Sequence, residues 1–150
     1  MRIVIQRVSQ ASVAVEGREV ARINLGILIL LGIESEDSEE DIEWLCKKVS
    51  SLRIFSDSAG LMNLSVQEVG GRLLVVSQFT LYGSTKKGNR PSFIRSARPE
   101  VAIHKYERFV EKLAQESGRP VCTGVFGADM KVELINDGPV TILMDSKNRE

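Results

Sequence analysis

The order of apolar and polar positions divides the chain into strands and two helices. Arg2 to Val15 mixes branched aliphatics with short polar residues, and Glu19 to Ile23 repeats the pattern after the turn Glu16-Gly17-Arg18. That predicts an opening β-hairpin. Asn24-Leu25-Gly26 leads into Ile27–Ile33, the longest apolar run, which is strand-sized. Ser38 reads as a helix N-cap, with Asp41 three residues on as a weaker variant of the capping box. Ile42, Leu45, Cys46, Val49 and Leu52 then recur at helical spacing, with Trp44 beside that stripe as a packing residue. A short strand follows at Arg53–Phe55, then the turn Asp57-Ser58-Ala59-Gly60 and the segment Leu61–Val66.

After the break Gly70-Gly71, the apolar strand Arg72–Val76 ends abruptly in the polar stretch Ser77-Gln78-Phe79-Thr80. Gly83 to Pro91 reads as a loop long enough for a lid or a binding arm. Pro99 opens a second helix, with Ala102, Tyr106, Phe109, Val110 and Leu113 on its buried face, and Gly118 and Pro120 close it. Two or three strands finish the chain, over Val121–Phe126, Met130–Ile135 and Val140–Asp145, before a polar tail. The order predicts one domain of mixed α/β, α+β-like class: a bent, barrel-like sheet with two packed helices.

Composition narrows the chemistry. Twenty basic and twenty acidic residues cancel, but unevenly. Glu34 to Glu43 holds seven acids and no base, whereas Ser84 to Arg98 holds Lys86, Lys87, Arg90, Arg95 and Arg98 and no acid. Such runs are usually solvated faces. The basic one directly follows the polar strand end, where it can meet an anion beside a site. No run of about 18 apolar residues is present to span a membrane. The first residues read at once as strand, and the two cysteines, Cys46 and Cys122, read as buried free thiols of a reducing compartment. A cytoplasmic location is the expectation.

The single histidine, His104, falls within the second helix with no partner pattern for nucleophilic catalysis. No cluster has metal-ligand spacing, and Gly83-Ser84-Thr85-Lys86-Lys87-Gly88 lacks the order of a phosphate loop. Neither a metal nor a cofactor is expected. Backbone dipoles, hydroxyls and an amide remain, equipment that can stabilise an oxyanion without a strong acid or base. Thr80 is the nucleophile candidate by residue type, and the alternative is a hydroxyl that orients reacting groups. In Asn136-Asp137-Gly138-Pro139-Val140-Thr141, the Gly-Pro bond is one of the few able to be cis. A cis turn there can aim two carbonyls the same way and receive an ammonium group; the alternative is an ordinary turn before an edge strand.

Four ordered motifs resemble the D-aminoacyl-tRNA deacylases. They are Ser77-Gln78-Phe79-Thr80-Leu81-Tyr82-Gly83, Lys87-Gly88-Asn89-Arg90-Pro91-Ser92-Phe93, Thr123-Gly124-Val125-Phe126-Gly127-Ala128-Asp129-Met130 and Asn136 to Thr141. The opening Met1 to Val8 is similar to that family's first strand. The resemblance spans essentially the whole chain. It implies a homodimer whose sites are built from two chains, and hydrolysis of the ester joining a D-amino acid to the terminal adenosine of tRNA. Glycine, being achiral, is an expected further substrate. Carried over, the pocket is lined by Ser77, Gln78, Phe79 and Thr80, with the Phe79 N–H as oxyanion donor. Gly138 and Pro139 form a cis chirality filter in the partner's pocket, and Arg7 braces that turn. The terminal 2′-hydroxyl of the RNA is expected to assist, and Lys86, Lys87 and Arg90 to hold acceptor-stem phosphates. Two rival readings are a non-catalytic nucleic-acid-binding module and a small-molecule esterase.

Overall fold

A computed structural model describes all residues from Met1 to Glu150. Strand β1 (Arg2–Val15) organises the sheet, because it pairs along both edges. On one edge its first half runs antiparallel to β3 (Gly26–Gly32), and its second half to β2 (Arg18–Ile23). On the other edge it pairs along nearly its whole length with β8 (Met130–Asp145). Beyond β3 the sheet continues in parallel through β6 (Arg72–Ser77) to β7 (Val121–Thr123). A strand that serves three neighbours must bend, so the sheet curls until β2 touches β6 and β7. The result is a nearly closed, barrel-like sheet in an α+β domain.

Two helices cover it. Helix α1 (Glu39–Ser51) starts with the complete Ser38–Asp41 capping box, as the sequence predicts. Helix α2 (Pro99–Ser117) has proline in its first turn and ends at Gly118, whose φ of 59° is left-handed backbone that glycine adopts without a Cβ clash. The helices pack on each other, and their apolar stripes share one core with Ile27, Ile29, Leu31, Leu73 and Val75. Each such aliphatic side chain contributes roughly 1.5–3 kcal/mol when fully buried. The small hairpin β4 (Phe55–Ser56) and β5 (Met62–Leu64) stands apart from the main sheet.

Several predicted details are corrected. The two last strands are one continuous strand, β8, because Asn136 closes the interruption: its amide oxygen accepts from Val140 N at 2.7 Å and its nitrogen donates to the Val140 carbonyl at 3.2 Å. Residues 137–140 leave the ladder as a bulge opposite Arg7. Strand β7 stops at Thr123 rather than Phe126. The thiol of Cys46 is buried but Cys122 is only half-buried. The acidic run is not a wholly solvated face either. Asp37 and Asp41 are buried, where Asp37 accepts from the Met1 ammonium and Asp41 from Ser38. Others in that run pair with bases of α2 and the tail: Glu39 with Arg108, and Glu40 with Arg149. No helix is long and apolar enough to cross a membrane.

Candidate active site

Where β6 runs out, Gln78 N donates to the Leu31 carbonyl at 2.7 Å, the last ladder-like bond. The chain then tightens into a 3₁₀ turn over Phe79–Tyr82. Leu81 N bonds Gln78 O at 3.2 Å, and Gly83 N bonds Thr80 O at 2.9 Å. Phe79 opens the turn, so its own N–H has no acceptor within it. Gln78 donates its side-chain amide to the Thr80 hydroxyl. Thr80 and Phe79 are exposed, and Ser77 and Gln78 half-buried.

A cleft of about 450 Å³ opens beside this turn, lined by twelve residues. Ser77, Gln78 and Phe79 form one part of its wall, whereas Thr80, expected beside them, is not among the lining residues, and Leu31 and Ile33 continue the wall from β3. The segment before α2 adds Phe93, Ser96 and Ala97, and Phe126 and Gly127 close the far side. Phe79 and Phe93 meet edge to face at 5.1 Å. The Ser96 hydroxyl donates to the Phe79 carbonyl at 2.9 Å, fixing the peptide between Phe79 and Thr80. None of the lining side chains is an acid, a base or a thiol. The cleft therefore offers shape, amides and hydroxyls, and no group of its own that can take a proton near neutral pH.

The second predicted element lies elsewhere in the chain. Gly138–Pro139 is a cis peptide at the tip of the β8 bulge. Both residues are exposed, and neither lines the cleft. Arg7 braces the bulge from β1: its Nε donates to the Asp137 carbonyl at 2.6 Å and its Nη1 to the Ile54 carbonyl at 2.5 Å. A Cβ at Gly138 would lie 2.7 Å from both Val140 N and Val140 Cγ2, so the position admits only glycine unless the bulge moves.

Of the predicted RNA-binding residues, Lys86, Lys87 and Arg90 are exposed on a small hairpin whose ends are tied by Ser84 and Ser92, with bonds of 2.8 and 2.9 Å. Arg95, from the same basic run, is instead paired with Glu34 at 3.2 Å. His104 is exposed on α2 and away from the cleft lining. The structure adds Ser96, which sequence reasoning missed because a lone serine before a helix carries no signal.

Residues 4–145 match the family model described as D-Tyr-tRNA(Tyr) deacylase. The D-aminoacyl-tRNA deacylase of Bacteroides thetaiotaomicron is 61% identical over 150 residues, covering all of both chains. The chain belongs to the D-aminoacyl-tRNA deacylase family. As a member of this family of hydrolases it is an enzyme. The deacylase of Flavobacterium johnsoniae is likewise 61% identical over the full length of both chains. Among solved structures, one described as c-Myc DNA Unwinding Element Binding Protein is 40% identical, with a TM-score of 0.90 over 97% of this chain and 98% of that one. A probable eukaryotic D-amino acid tRNA deacylase shares the fold, at TM-score 0.81 and 19% identity, with 95% and 97% of the two chains covered.

Proposed function

We propose that the chain hydrolyses the ester of D-aminoacyl-tRNA and rejects the L-form, with the RNA itself supplying the base. The observation that carries this reading is the cleft lining, in which no side chain can take a proton near neutral pH. Ester hydrolysis needs a water to be activated. The free 2′-hydroxyl of the terminal ribose sits next to the ester and can do it. The protein's part is then to position the ester and stabilise the charge that develops on its oxygen, with the Phe79 N–H as donor. Thr80, already accepting from Gln78, orients the substrate in this scheme rather than attacking it.

Selection between mirror images is assigned to Gly138 and Pro139 of a second copy of the chain. Their exposed turn does not line the cleft of its own chain, yet it is held by Arg7 and by Asn136, as a rigid probe must be. Two main-chain carbonyls that receive the α-ammonium, with donors on the ester oxygen, leave one direction for the side chain. A D-side chain points to solvent and an L-side chain runs into the turn. Exclusion by backbone works for almost any side chain, so the pocket is broad in identity and strict in handedness. Glycine, with no side chain to exclude, is hydrolysed as well. The exposed Lys86, Lys87 and Arg90 hold the acceptor phosphates.

Catalytic amounts of the protein, incubated with D-aminoacyl-tRNA and its L-counterpart, test this. Release of the D-amino acid alone is the expected result. Stoichiometric binding without turnover would instead favour a nucleic-acid-binding module, the role that the name of the 40%-identical c-Myc DNA Unwinding Element Binding Protein gives to that protein. Equal cleavage of simple D-amino-acid esters would favour a small-molecule esterase.

A further inference from the structure

A four-residue 3₁₀ turn holds itself poorly, with few and strained internal bonds. If Phe79 and Thr80 are to aim at a reacting ester, the turn must be fixed from outside. At its start, Ser96 holds the Phe79 carbonyl. Beneath it lies Gly32, where a Cβ would come within 2.9 Å of Leu81 Cβ and 3.1 Å of the Gln78 carbonyl. Its far end is gripped by a side chain to which the resemblance gives no role, Arg2.

Arg2 Nη1 donates to the Leu81 carbonyl at 3.1 Å. Its guanidinium lies 4.7 Å from the centroid of the buried Tyr82 ring, and Arg95, tethered to Glu34, lies 5.3 Å from the same ring. No protein group bonds the Tyr82 hydroxyl, so the ring is held by packing and by these two cations alone. Arg2 Nε meanwhile bonds Asp145 Oδ2 at 2.8 Å, its direct partner in the β1–β8 register. One planar fork thus ties the turn beside the cleft to β8, the strand that carries the Gly138–Pro139 bulge. A lysine has one point donor cluster and cannot reproduce that two-way geometry.

We propose that Arg2 is a positioning residue of the deacylase site, setting the Phe79–Tyr82 turn against β8 through Leu81, Tyr82 and Asp145. The inference rests on the deacylase reading above. A merely structural role predicts a different outcome, since the Arg2–Asp145 pair is partly exposed and pairs of that kind contribute little to stability.

Single-turnover and steady-state hydrolysis of D-aminoacyl-tRNA by wild type, Arg2→Met and Arg2→Lys separate the cases. Both variants are expected to lose about tenfold or more in kcat, the size of effect small misplacements produce, while KM stays within about twofold and the melting temperature of Arg2→Lys stays near wild type. Arg2→Lys, which keeps the charge beside Asp145, preserves the test should Arg2→Met fold poorly. Wild-type kcat in both variants, or full recovery of kcat by lysine, would overturn the proposal while leaving the deacylase reading intact. Absence of turnover by wild type would instead remove the reading and the inference with it.

Discussion

Arg7 Nε donates to the Asp137 carbonyl at 2.6 Å, joining the first strand to the bulge of the last across 130 residues of sequence. The same guanidinium reaches Ile54 O at 2.5 Å, and its side chain is only 11% exposed. The tip of the bulge is therefore held by a cation with little freedom of its own. A filter that distinguishes mirror images by collision needs that stiffness, because a turn that yields by an ångström would admit both.

Replacing Arg7 by methionine removes two charge-assisted bonds, each contributing roughly 1.5–3 kcal/mol. Unfolding in urea should show a loss of about 2–3 kcal/mol after partial rearrangement. Hydrolysis of the L-substrate should rise relative to the D-substrate. A variant with wild-type stability and an unchanged D/L ratio would show that Arg7 does not brace the filter.

Gly138→Ala places a methyl 2.7 Å from Val140 N and Cγ2, closer than packed atoms allow. The bulge must shift to accept it, at a cost of about 1–3 kcal/mol. The expected result is a folded protein with D-aminoacyl-tRNA hydrolysis reduced at least about tenfold. Full activity would mean that the backbone at residue 138 touches no substrate.

Triple substitution of Lys86, Lys87 and Arg90 by alanine should weaken tRNA binding and flatten its salt dependence. Each cation withdrawn from a phosphate reduces the slope of log K against log salt by about 0.7–0.9, so a change of about 2–3 is expected. An unaltered slope would place the RNA on another surface.

Much of this architecture was legible in the sequence. Helices α1 and α2 follow from apolar stripes, from caps at Ser38 and Gly118 and from the first-turn Pro99, because those signals are local. The polar end of β6 is also visible, since Ser77 and Gln78 follow four apolar residues without a break. The continuity of β8 was not visible: Asn-Asp-Gly-Pro reads as the end of a strand, and only the Asn136 side chain, bonding across four residues, shows that pairing resumes. The burial of Asp37 and Asp41 was not visible, because it depends on which distant groups arrive, here the Met1 ammonium and Ser146. The roles of Ser96 and Arg2 are tertiary for the same reason. Each acts on the 3₁₀ turn from another part of the chain, Ser96 from 17 residues away and Arg2 from 79.

Acid stability should reveal the α1 cap. Burial works to raise the Asp41 pKa, but the Ser146 hydroxyl and the Ser38 amide and hydroxyl outweigh it and hold the carboxyl down at about 2. A folded-state pKa below the unfolded value of 3.8 gives stability that is whole above about pH 4 and is lost as the pH falls through about 2. Asp41→Ala should cost about 1–2 kcal/mol at pH 7, and the gap to wild type should narrow in thermal melts below about pH 3. A gap independent of pH would mean that the cap acts without its charge.

In the proposed reaction the cleft positions the ester while the RNA provides the base. That division is tested most directly by single-turnover hydrolysis of D-aminoacyl-tRNA whose terminal adenosine lacks the 2′-hydroxyl, beside the unmodified substrate. The expected result is affinities within about threefold of each other and a hydrolysis rate lower by about a hundredfold or more, the scale of losing a positioned acid–base group. Equal rates on the two substrates would contradict it, and would return the search for a base to the protein.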